Sequence, residues 1–532
     1  MPAPDLLVTG TIHTLDPARP EVEAVLARDG RIVALGRELE CRRASFPGAI
    51  HLDTGEGSAI PGLADAHGHV MLYARSLEEV ACGGAADAQA CAARAAEAAR
   101  ALPPGAWVRG RGWDQNRWPG GALPDAATLT AAIPDRPALL ERVDGHAAWV
   151  NAAALALAGI GPETPDPPGG RILRDAAGRP SGVLVDAAQD LAHARIPHPS
   201  QAEIERLLLA GLAALARVGL TAVHDAGCTS SVLRVYARLA ETDRLPLRVY
   251  AMIDGGQPEG ALTAELARWS ATPRVGLLEV GAVKLFADGA LGSRGAALFD
   301  DYSDEPGNRG LLLAEPAALR ARIRRVARAG LQPAVHAIGD RACHEVLAAF
   351  AELGNELELD GVRPRVEHLQ IIRREDLPLL RAARAVASMQ PVHAASDAPW
   401  VEARLGPERA RGAYAWRQVL ASGAPLAFGS DFPVESPDPR LGLAAAELRR
   451  PPGAAAGWRE EERLDRAEAL AAFTRGVAHA CFAEEHRGVL REGADADLTV
   501  LGADALAIPP EDWPAVPILA SIVAGRVAFR AA

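Results

Sequence analysis

Lysine is almost missing from this chain. The sequence of 532 residues holds 56 basic residues, and Lys284 is the only lysine among them. Surface salt bridges and solubility do not need lysine, because arginine carries the same charge. The single lysine is therefore either an accident of composition or a residue with chemistry that a guanidinium group cannot perform, since a buried amine can lose its proton and act as a nucleophile or as the precursor of a ligand.

Other absences narrow the class of protein. No uncharged apolar run reaches 18 residues, which argues against a membrane-spanning helix. The N-terminal segment has no basic stretch followed by an apolar one, so we expect no secretory signal and a cytoplasmic protein. The net charge is -12 and the arginines are scattered, which indicates no nucleic-acid partner. The six cysteines form no CxxC pair, as expected of reduced thiols that bind no metal.

Both ends of the chain have β character. Residues 1–61 alternate short apolar runs with turns, and RDGRIVALG is typical of a hairpin with an Asp-Gly turn. Residues 487–532 return to strand-like runs that are separated by glycine turns. We therefore predict one small β domain that is formed by both termini.

Residues 62–486 alternate helices with short strands. SQAEIERLLLAGLAALARVG predicts an amphipathic helix with Ser200 as its N-cap, and the strand LTAVHDAG follows it. The same order returns in EPAALRARIRRVARAG with LQPAVHAIGD, and in REDLPLLRAARA with VASMQPVHA. Such repeats predict parallel βα units and favour a (β/α)8 barrel. Residues at about 75–199 interrupt the repeats, and we predict an α+β insertion there, over the mouth of the barrel.

Polar residues lie at the predicted C-terminal ends of the barrel strands, where barrel active sites are built. Two histidines that are two residues apart on a strand point to the same side and can bind one metal ion, although such a pair is weak evidence by itself. Further histidines end two later strands, the lysine lies on a strand between the first pair and these histidines, and an aspartate ends the closing strand. The predicted metal cluster is His67, His69, Lys284, His336, His368 and Asp431.

The motifs that carry this cluster resemble a known family. PGLADAHGHV, VKLFADGALGSR, VHAIGD, RVEHLQ and AFGSDFPVE are similar to the metal-dependent amidohydrolase superfamily. Together with GWDQNRWPGG, DGHAAWVN, SGVLVDAA and QPVHA, they resemble its YtcJ-like branch, which includes N-substituted formamide deformylase (the amidohydrolase 3 family). The resemblance covers nearly the whole chain. It implies a TIM-like barrel and a urease-like β-sandwich made by both termini.

The resemblance also implies roles for the cluster. The HxH pair would bind one divalent ion, His336 and His368 a second or a shared ion, and Asp431 would ligate metal while exchanging a proton with bound water. Lys284 matches a lysine that in related members reacts with carbon dioxide to form a carbamate bridging two metals. Some members use one metal and an unmodified residue there, so one or two ions remain open.

These roles predict a reaction. Zinc is the expected ion, because imidazole and carboxylate ligands suit it, although Fe, Mn, Co or Ni fits a similar shell. Metal-activated hydroxide would attack an amide-type C–N bond of a small molecule, an N-acyl or N-formyl amine or a cyclic amide, with Asp431 as general acid and base. The alternatives are an isomerase or a C–O hydrolase on the same scaffold, or a catalytically silent binding or regulatory protein. A homodimer is the expected assembly.

Five further residues are candidates for substrate contact: Trp113, His146, Asp288, Arg294 and His393. The first two lie in the insertion and could equally stabilise its packing. Asp288 and Arg294 could position the carbamate, bind a substrate carboxylate or form a loop salt bridge. His393 is predicted at the tip of the seventh strand, and His224, which ends the second, is expected to support a ligand rather than to bind metal.

Overall fold

The computed structural model describes residues 5–37, 39, 46, 48–103, 105–143 and 145–532. The chain divides into two compact units, of which the first comprises residues 1–73 and 204–532 and the second residues 74–203. The insertion predicted at about 75–199 lies within the second unit. The terminal β domain, predicted as 1–61 and 487–532, clusters with the barrel in the first unit.

The elements alternate as the sequence predicts. The strands are β1 Leu6–His13, β2 Glu21–Arg28, β3 Arg31–Leu35, β4 Ile50–Pro61, β5 Leu63–Gly68, β6 Val80–Ala81, β7 Val108–Trp113, β8 Ala138–Arg142, β9 Ala147–Val150, β10 Gly170–Arg174, β11 Pro180–Asp186, β12 Leu220–Cys228, β13 Arg248–Asp254, β14 Arg274–Val275, β15 Leu278–Phe286, β16 Gln332–Ala337, β17 Arg365–His368, β18 Val386–Met389, β19 Leu426–Phe428, β20 Leu498–Leu501, β21 Ile518–Val523 and β22 Arg526–Arg530.

The α-helices whose bounds the structure describes are α1 Val70–Ser76, α2 Ala88–Ala99, α3 Ala126–Ala132, α4 Ala152–Ala158, α5 Asp190–His193, α6 Gln201–Arg217, α7 Ser230–Glu241, α8 Glu259–Ala271, α9 Pro316–Arg328, α10 Asp340–Leu353, α11 Leu359–Val362, α12 Leu377–Ala382, α13 Pro391–Arg409, α14 Trp416–Ala421, α15 Pro439–Leu448, α16 Arg466–Ala472 and α17 Arg475–Ala480. The predicted N-cap of α6 is present, because Ser200 Oγ accepts a hydrogen bond from the Glu203 amide.

Eight parallel strands form the barrel, in the order β5, β12, β13, β15, β16, β17, β18 and β19. The first and last strands meet just beyond β19, where the Asp431 amide donates to the His67 carbonyl at 2.7 Å and the His69 amide donates to the Phe432 carbonyl at 2.8 Å. The predicted TIM-like (β/α)8 barrel is therefore confirmed. Its closure joins the segments that carry the HxH pair and Asp431.

The lower part of the barrel interior is apolar and closely packed. Small residues of the strands, among them Ala226, Ala282 and Ala334, form a buried cluster with Ala478 and Cys481 at the end of α17. This packing fills the interior below the mouth, as in other barrels of this class.

Both termini contribute to one seven-stranded sheet, in the order β22, β21, β20, β4, β1, β2 and β3. The predicted hairpin joins β2 and β3, and its turn residues Asp29 and Gly30 have φ of 48° and 79°. Positive φ at both central residues is what a tight type I′ hairpin turn requires. The strand β4 runs through Gly62 directly into β5, so this sheet leads into the first barrel strand.

The second unit has its own sheet and core. Its six strands follow the order β10, β11, β9, β8, β7 and β6. Buried side chains such as Trp113, Trp149 and Leu129 pack together with the helix α2. The unit is therefore an α+β structure, as predicted for the insertion.

Two absences concern the described residues alone. None of their helices is both long enough and apolar enough to cross a bilayer. Their five cysteines, Cys82, Cys91, Cys228, Cys343 and Cys481, are buried and form no disulfide with one another. Cys41 lies outside the described residues.

Candidate metal centre

The barrel mouth brings together one group of metal-ligating atoms from the first and last strands. Donor atoms of His67, His69 and Asp431 all lie within 4.8 Å of one another. Asp431 Oδ1 is 3.2 Å from His69 Nε2 and 3.7 Å from His67 Nε2. His67 is fully buried and His69 is partly exposed, so this group of donors faces the mouth of the barrel.

A second group of donors shares the same carboxylate. Donor atoms of His368, His393 and Asp431 also lie within 4.8 Å of one another. Asp431 Oδ2 is 3.9 Å from His393 Nε2, whereas Oδ1 faces the HxH pair. His336 lies beside this group, with its ring centroid 4.5 Å from that of His368. Asp431 therefore lies between two sets of imidazoles, with Oδ1 near His67 and His69 and Oδ2 near His393.

Lys284 lies against the first group. Its Nζ is 3.2 Å from His67 Nε2, and the side chain is 1% exposed. Burial lowers the pKa of Lys284 to about 8. The structure thus places all six predicted members of the cluster at one end of the barrel.

The outer nitrogens of three imidazoles are held by oxygen acceptors. His69 Nδ1 donates to the Ala226 carbonyl at 2.8 Å, and His368 Nδ1 donates to Gln390 Oε1 at 2.9 Å. The third, on His67, donates to Glu367 Oε2 at 2.5 Å. With the proton fixed on Nδ1, the lone pair of each ring is on Nε2, the atom that faces the cluster.

The donor set fits a divalent metal ion. Burial lowers the pKa of His67 to about 4 and that of His336 to about 3, with the charge of Lys284 contributing to both, so these imidazoles are neutral as ligands must be. His336 Nε2 and His393 Nε2 are buried and have no hydrogen-bond partner within the described part of the chain. Buried polar atoms are rarely left unpaired, and a cation would satisfy both.

Two of the donors come from strained backbone positions. His368 has φ of 75° and Asp431 has φ of 60°. Left-handed conformations cost non-glycine residues about 1–3 kcal/mol each, and they cluster at functional sites. The strain turns the chain sharply at the two strand ends and directs these side chains into the mouth.

The sequence interpretation missed Arg365 and Glu367. Both are fully buried, and Arg365 Nε donates to Glu367 Oε1 at 2.7 Å. Burial alone would raise the pKa of Glu367, but Arg365 and His67 outweigh burial and hold that pKa well below its usual range. A signal was present in RVEH, because charged residues at alternate positions of an interior strand are uncommon. His224, which was expected to support a ligand, contacts this pair, since Arg365 Nη1 donates to His224 Nδ1 at 2.8 Å. His224 lies in the middle of β12, so the prediction that it ends the second strand is wrong.

Asp65 also lies behind the HxH pair and was not predicted. Its carboxylate accepts hydrogen bonds from the His67 amide at 2.9 Å and from the Ser430 hydroxyl at 2.7 Å. Burial raises the pKa of Asp65 to about 7. This carboxyl group therefore ties the end of β5 to the segment that carries Asp431.

The candidates beyond Lys284 are engaged in their own loop. Asp288 accepts hydrogen bonds from the backbone amides of Ala297, Ile338 and Gly339, which fastens the loop after β15 to the end of β16. Arg294 pairs with Asp304 at 3.0 Å. Arg294 therefore forms a loop salt bridge, one of the predicted alternatives, although not with Asp288. Asp288 Oδ1 lies 3.7 Å from His336 Nε2, at the edge of the cluster.

His393 is not at a strand tip. The strand β18 ends at Met389, and His393 lies in the first turn of α13, which begins at Pro391. Proline is favoured in the first turn of a helix, because its missing N–H would be unpaired there in any case. The helix still carries His393 to the barrel mouth, within the second donor group.

The two candidates of the second unit differ in exposure. Trp113 is fully buried, and its Nε1 donates to the Leu140 carbonyl at 2.7 Å. This contact supports a packing role. The side chain of His146 is exposed, and its Nδ1 lies 2.8 Å from Asp186 Oδ1.

Comparisons with known proteins agree with this architecture. The model of the amidohydrolase family matches residues 52–529. The chain is 34% identical to the putative amidohydrolase YtcJ of Bacillus subtilis, over 98% of each chain. It is 28% identical to the N-substituted formamide deformylase of Arthrobacter pascens, over 99% of this chain and 98% of the relative.

A solved structure shares the fold. An uncharacterized metal-dependent hydrolase from Pyrococcus horikoshii superimposes with a TM-score of 0.80 and 25% identity, over 95% of this chain and 99% of that one. The predicted class, an enzyme that hydrolyses carbon–nitrogen bonds other than peptide bonds, is confirmed at the level of the family. The chain belongs to the amidohydrolase family, as a metal-dependent member with a TIM-like barrel.

Proposed function

We propose that this enzyme cleaves an amide-type C–N bond of a small molecule, in an N-acyl amine, an N-formyl amine or a cyclic amide. The observation that carries the proposal is the convergence of imidazole nitrogens on both oxygens of Asp431. The name of the Arthrobacter relative, a deformylase of N-substituted formamides, supports the choice of bond.

We propose zinc as the ion, because neutral imidazoles with a carboxylate are a set that zinc prefers. His67, His69 and Asp431 would hold one ion, and His368 with His336 or His393 would hold another. The chemistry supplied by such an ion is a lowered pKa of water and a polarised substrate carbonyl.

Asp431 is the proposed general acid and base. Burial would raise its pKa, but the imidazoles around it, His69 first, hold the pKa well below its usual range, so the group is an ionised carboxylate. The carboxylate can therefore accept a proton from the attacking water as the new C–O bond forms. It returns that proton to the departing nitrogen as the C–N bond breaks, so the products are a carboxylic acid and an amine.

Lys284 is the proposed site of a carbamate. The ammonium group would first lose one proton, and the uncharged amine would then attack carbon dioxide, forming an N–C bond and releasing a second proton, so that a cationic side chain becomes an anionic carbamate. The position supports this proposal, because an ammonium group 3.2 Å from His67 Nε2 would repel a cation bound by that imidazole. A carbamate would attract the same cation.

The experiment combines metal content with turnover. Purified protein is analysed for zinc, iron, manganese, cobalt and nickel, and then tested on N-formyl amines, N-acyl amines, cyclic amides and matched esters. We expect one or two ions per chain and amide turnover. We expect Asp431→Asn to reduce kcat by about 10²- to 10⁴-fold, whereas Asp512→Asn, at an exposed position, leaves kcat unchanged.

Two results would overturn the proposal. Protein without metal that gains no activity from added divalent ions would exclude metal-dependent hydrolysis. Metal-loaded protein that turns over only esters, or only isomerises substrates, would favour the alternative reactions. The cytoplasmic location and the homodimer stay predictions from the sequence.

A further inference from the structure

Arg365 and Glu367 form a buried ion pair inside the barrel. The two residues alternate on β17, so their side chains lie on the same side of the strand. Arg365 Nε donates to Glu367 Oε1 at 2.7 Å, and Arg365 Nη2 donates to Glu367 Oε2 at 3.2 Å. Both side chains are fully buried.

The ion pair forms two hydrogen bonds with β5, the strand that carries the HxH motif. Glu367 Oε2 accepts the proton of His67 Nδ1 at 2.5 Å. Arg365 Nη2 donates a hydrogen bond to the carbonyl of Ala66, the residue before His67, at 2.8 Å. Both the ring and the backbone of His67 are therefore fixed by one ion pair, while Nε2 of the same ring faces Lys284 and Asp431.

Stability alone does not explain a charged pair at this position. Removing each ion from water costs several kcal/mol, and a buried pair is often no more stabilising than well-packed apolar residues of the same volume. A neighbouring part of the barrel interior is filled by an apolar cluster that includes Ala226, Ala282 and Ala334. The contact with His67 is the feature that an apolar pair would lack.

We propose that Glu367 and Arg365 are positioning residues for metal binding. The carboxylate keeps the proton of His67 on Nδ1, holds the ring in one orientation and increases electron donation from Nε2, while the guanidinium group orients the carboxylate. This inference rests on the proposed metal-dependent function, but it concerns metal affinity and is independent of the substrate. A carboxylate behind a ligating histidine typically contributes a factor of 10–100 to metal affinity or activity.

Two variants test the proposal. Glu367→Gln keeps the shape but offers one acceptor oxygen to two donors, His67 and Arg365. The double variant Arg365→Met with Glu367→Met removes both charges and fills the space. For each we expect zinc affinity, measured by competition with a chromophoric chelator, to fall 10- to 100-fold, and the visible spectrum of the cobalt-substituted protein to change. The double variant leaves the Ala66 carbonyl and the outer nitrogens of His67 and His224 without partners, so we expect a lower thermal stability, and zinc affinity is measured well below its unfolding temperature.

Tyr250→Phe is the matched control. It removes another buried hydrogen bond of the barrel interior, from the Tyr250 hydroxyl to Gln332 Oε1 at 3.1 Å, and leaves the contacts of His67 intact. Its zinc affinity should equal that of the wild type. A folded double variant with wild-type zinc affinity and an unchanged cobalt spectrum would overturn the inference. Weaker metal binding without any amide turnover by the wild type would support the inference and refute only the proposed reaction.

Discussion

Replacing Gly429 with alanine tests whether closure of the barrel sets the geometry of the metal centre. A Cβ atom at this position would lie 2.5 Å from the His67 amide nitrogen and 2.6 Å from Asp65 Oδ1. Ordinary van der Waals contact begins near 3.4 Å, so the segments that carry His67 and Asp431 would have to separate by about 0.9 Å. The nearest obstacle is a backbone atom, which cannot rotate away.

Moving the two segments apart would break a hydrogen bond that joins the first and last strands of the barrel. The hydrogen bond from the Asp431 amide to the His67 carbonyl, 2.7 Å long, would be stretched beyond normal hydrogen-bond length. Overpacking of this kind costs about 1–3 kcal/mol of stability. A misplacement of about 1 Å can reduce turnover about 100-fold. We therefore expect Gly429→Ala to fold, to bind zinc more weakly and to lose about 100-fold in kcat/KM.

The assay combines chelator competition, steady-state kinetics and thermal unfolding. Gly260→Ala is the control, because a Cβ atom in α8 at that position meets no described atom within 4 Å. This control should keep wild-type activity and gain up to about 1 kcal/mol of stability from helix propensity. If folded Gly429→Ala kept zinc affinity and kcat/KM within about twofold of the wild type, the coupling between strand closure and the metal centre would be refuted.

Two further predictions concern single residues. Trp113→Ala should lower the free energy of unfolding by about 3–5 kcal/mol in a urea titration, because a fully buried indole is removed; unchanged stability with a raised KM would instead indicate substrate contact. The lowered pKa of Lys284, about 8, leaves about one amine in ten uncharged at pH 7, against about one in three thousand for an ordinary lysine. At a fixed concentration of dissolved carbon dioxide, reactivation of metal-free, decarboxylated enzyme by zinc should therefore accelerate with pH and level off above about pH 8; a rate that is independent of pH between 6 and 8 would contradict a reactive free amine.

The fold and the metal donors were predictable because they depend on local patterns. Alternating helices and strands predict parallel units, and parallel strands place their C-terminal ends at one side of the sheet. The predicted donors all lie on the last residues of barrel strands or just after them. Their convergence at one end of the barrel therefore follows from the topology. No distance between them had to be known.

The remaining features depend on three-dimensional contacts that a linear pattern does not contain. The sequence RVEH shows two charged residues on one face of a strand, but it does not show which residue Glu367 contacts, and its partner His67 lies 300 residues away. The burial of Trp113 is likewise a property of the packed second unit, since aromatic residues occur both in cores and in pockets. The predicted strand position of His393 is wrong because Pro391 begins α13 two residues before it, and proline is as compatible with the first turn of a helix as with the end of a strand.

Closure of the barrel and the candidate metal centre use the same residues in this chain. The amide of Asp431 and the carbonyl of His67 form the hydrogen bond that joins the last strand segment to the first, and the side chains of the same two residues are donors of the centre. Asp65 adds a second link, because its carboxylate accepts hydrogen bonds from the amides of both His67 and Ser430. An ion that binds these donors in the closed barrel but not in an opened form must stabilise the closed form, since binding to one state shifts the equilibrium toward it. An ion bound by these donors would therefore help to hold the two ends of the barrel together.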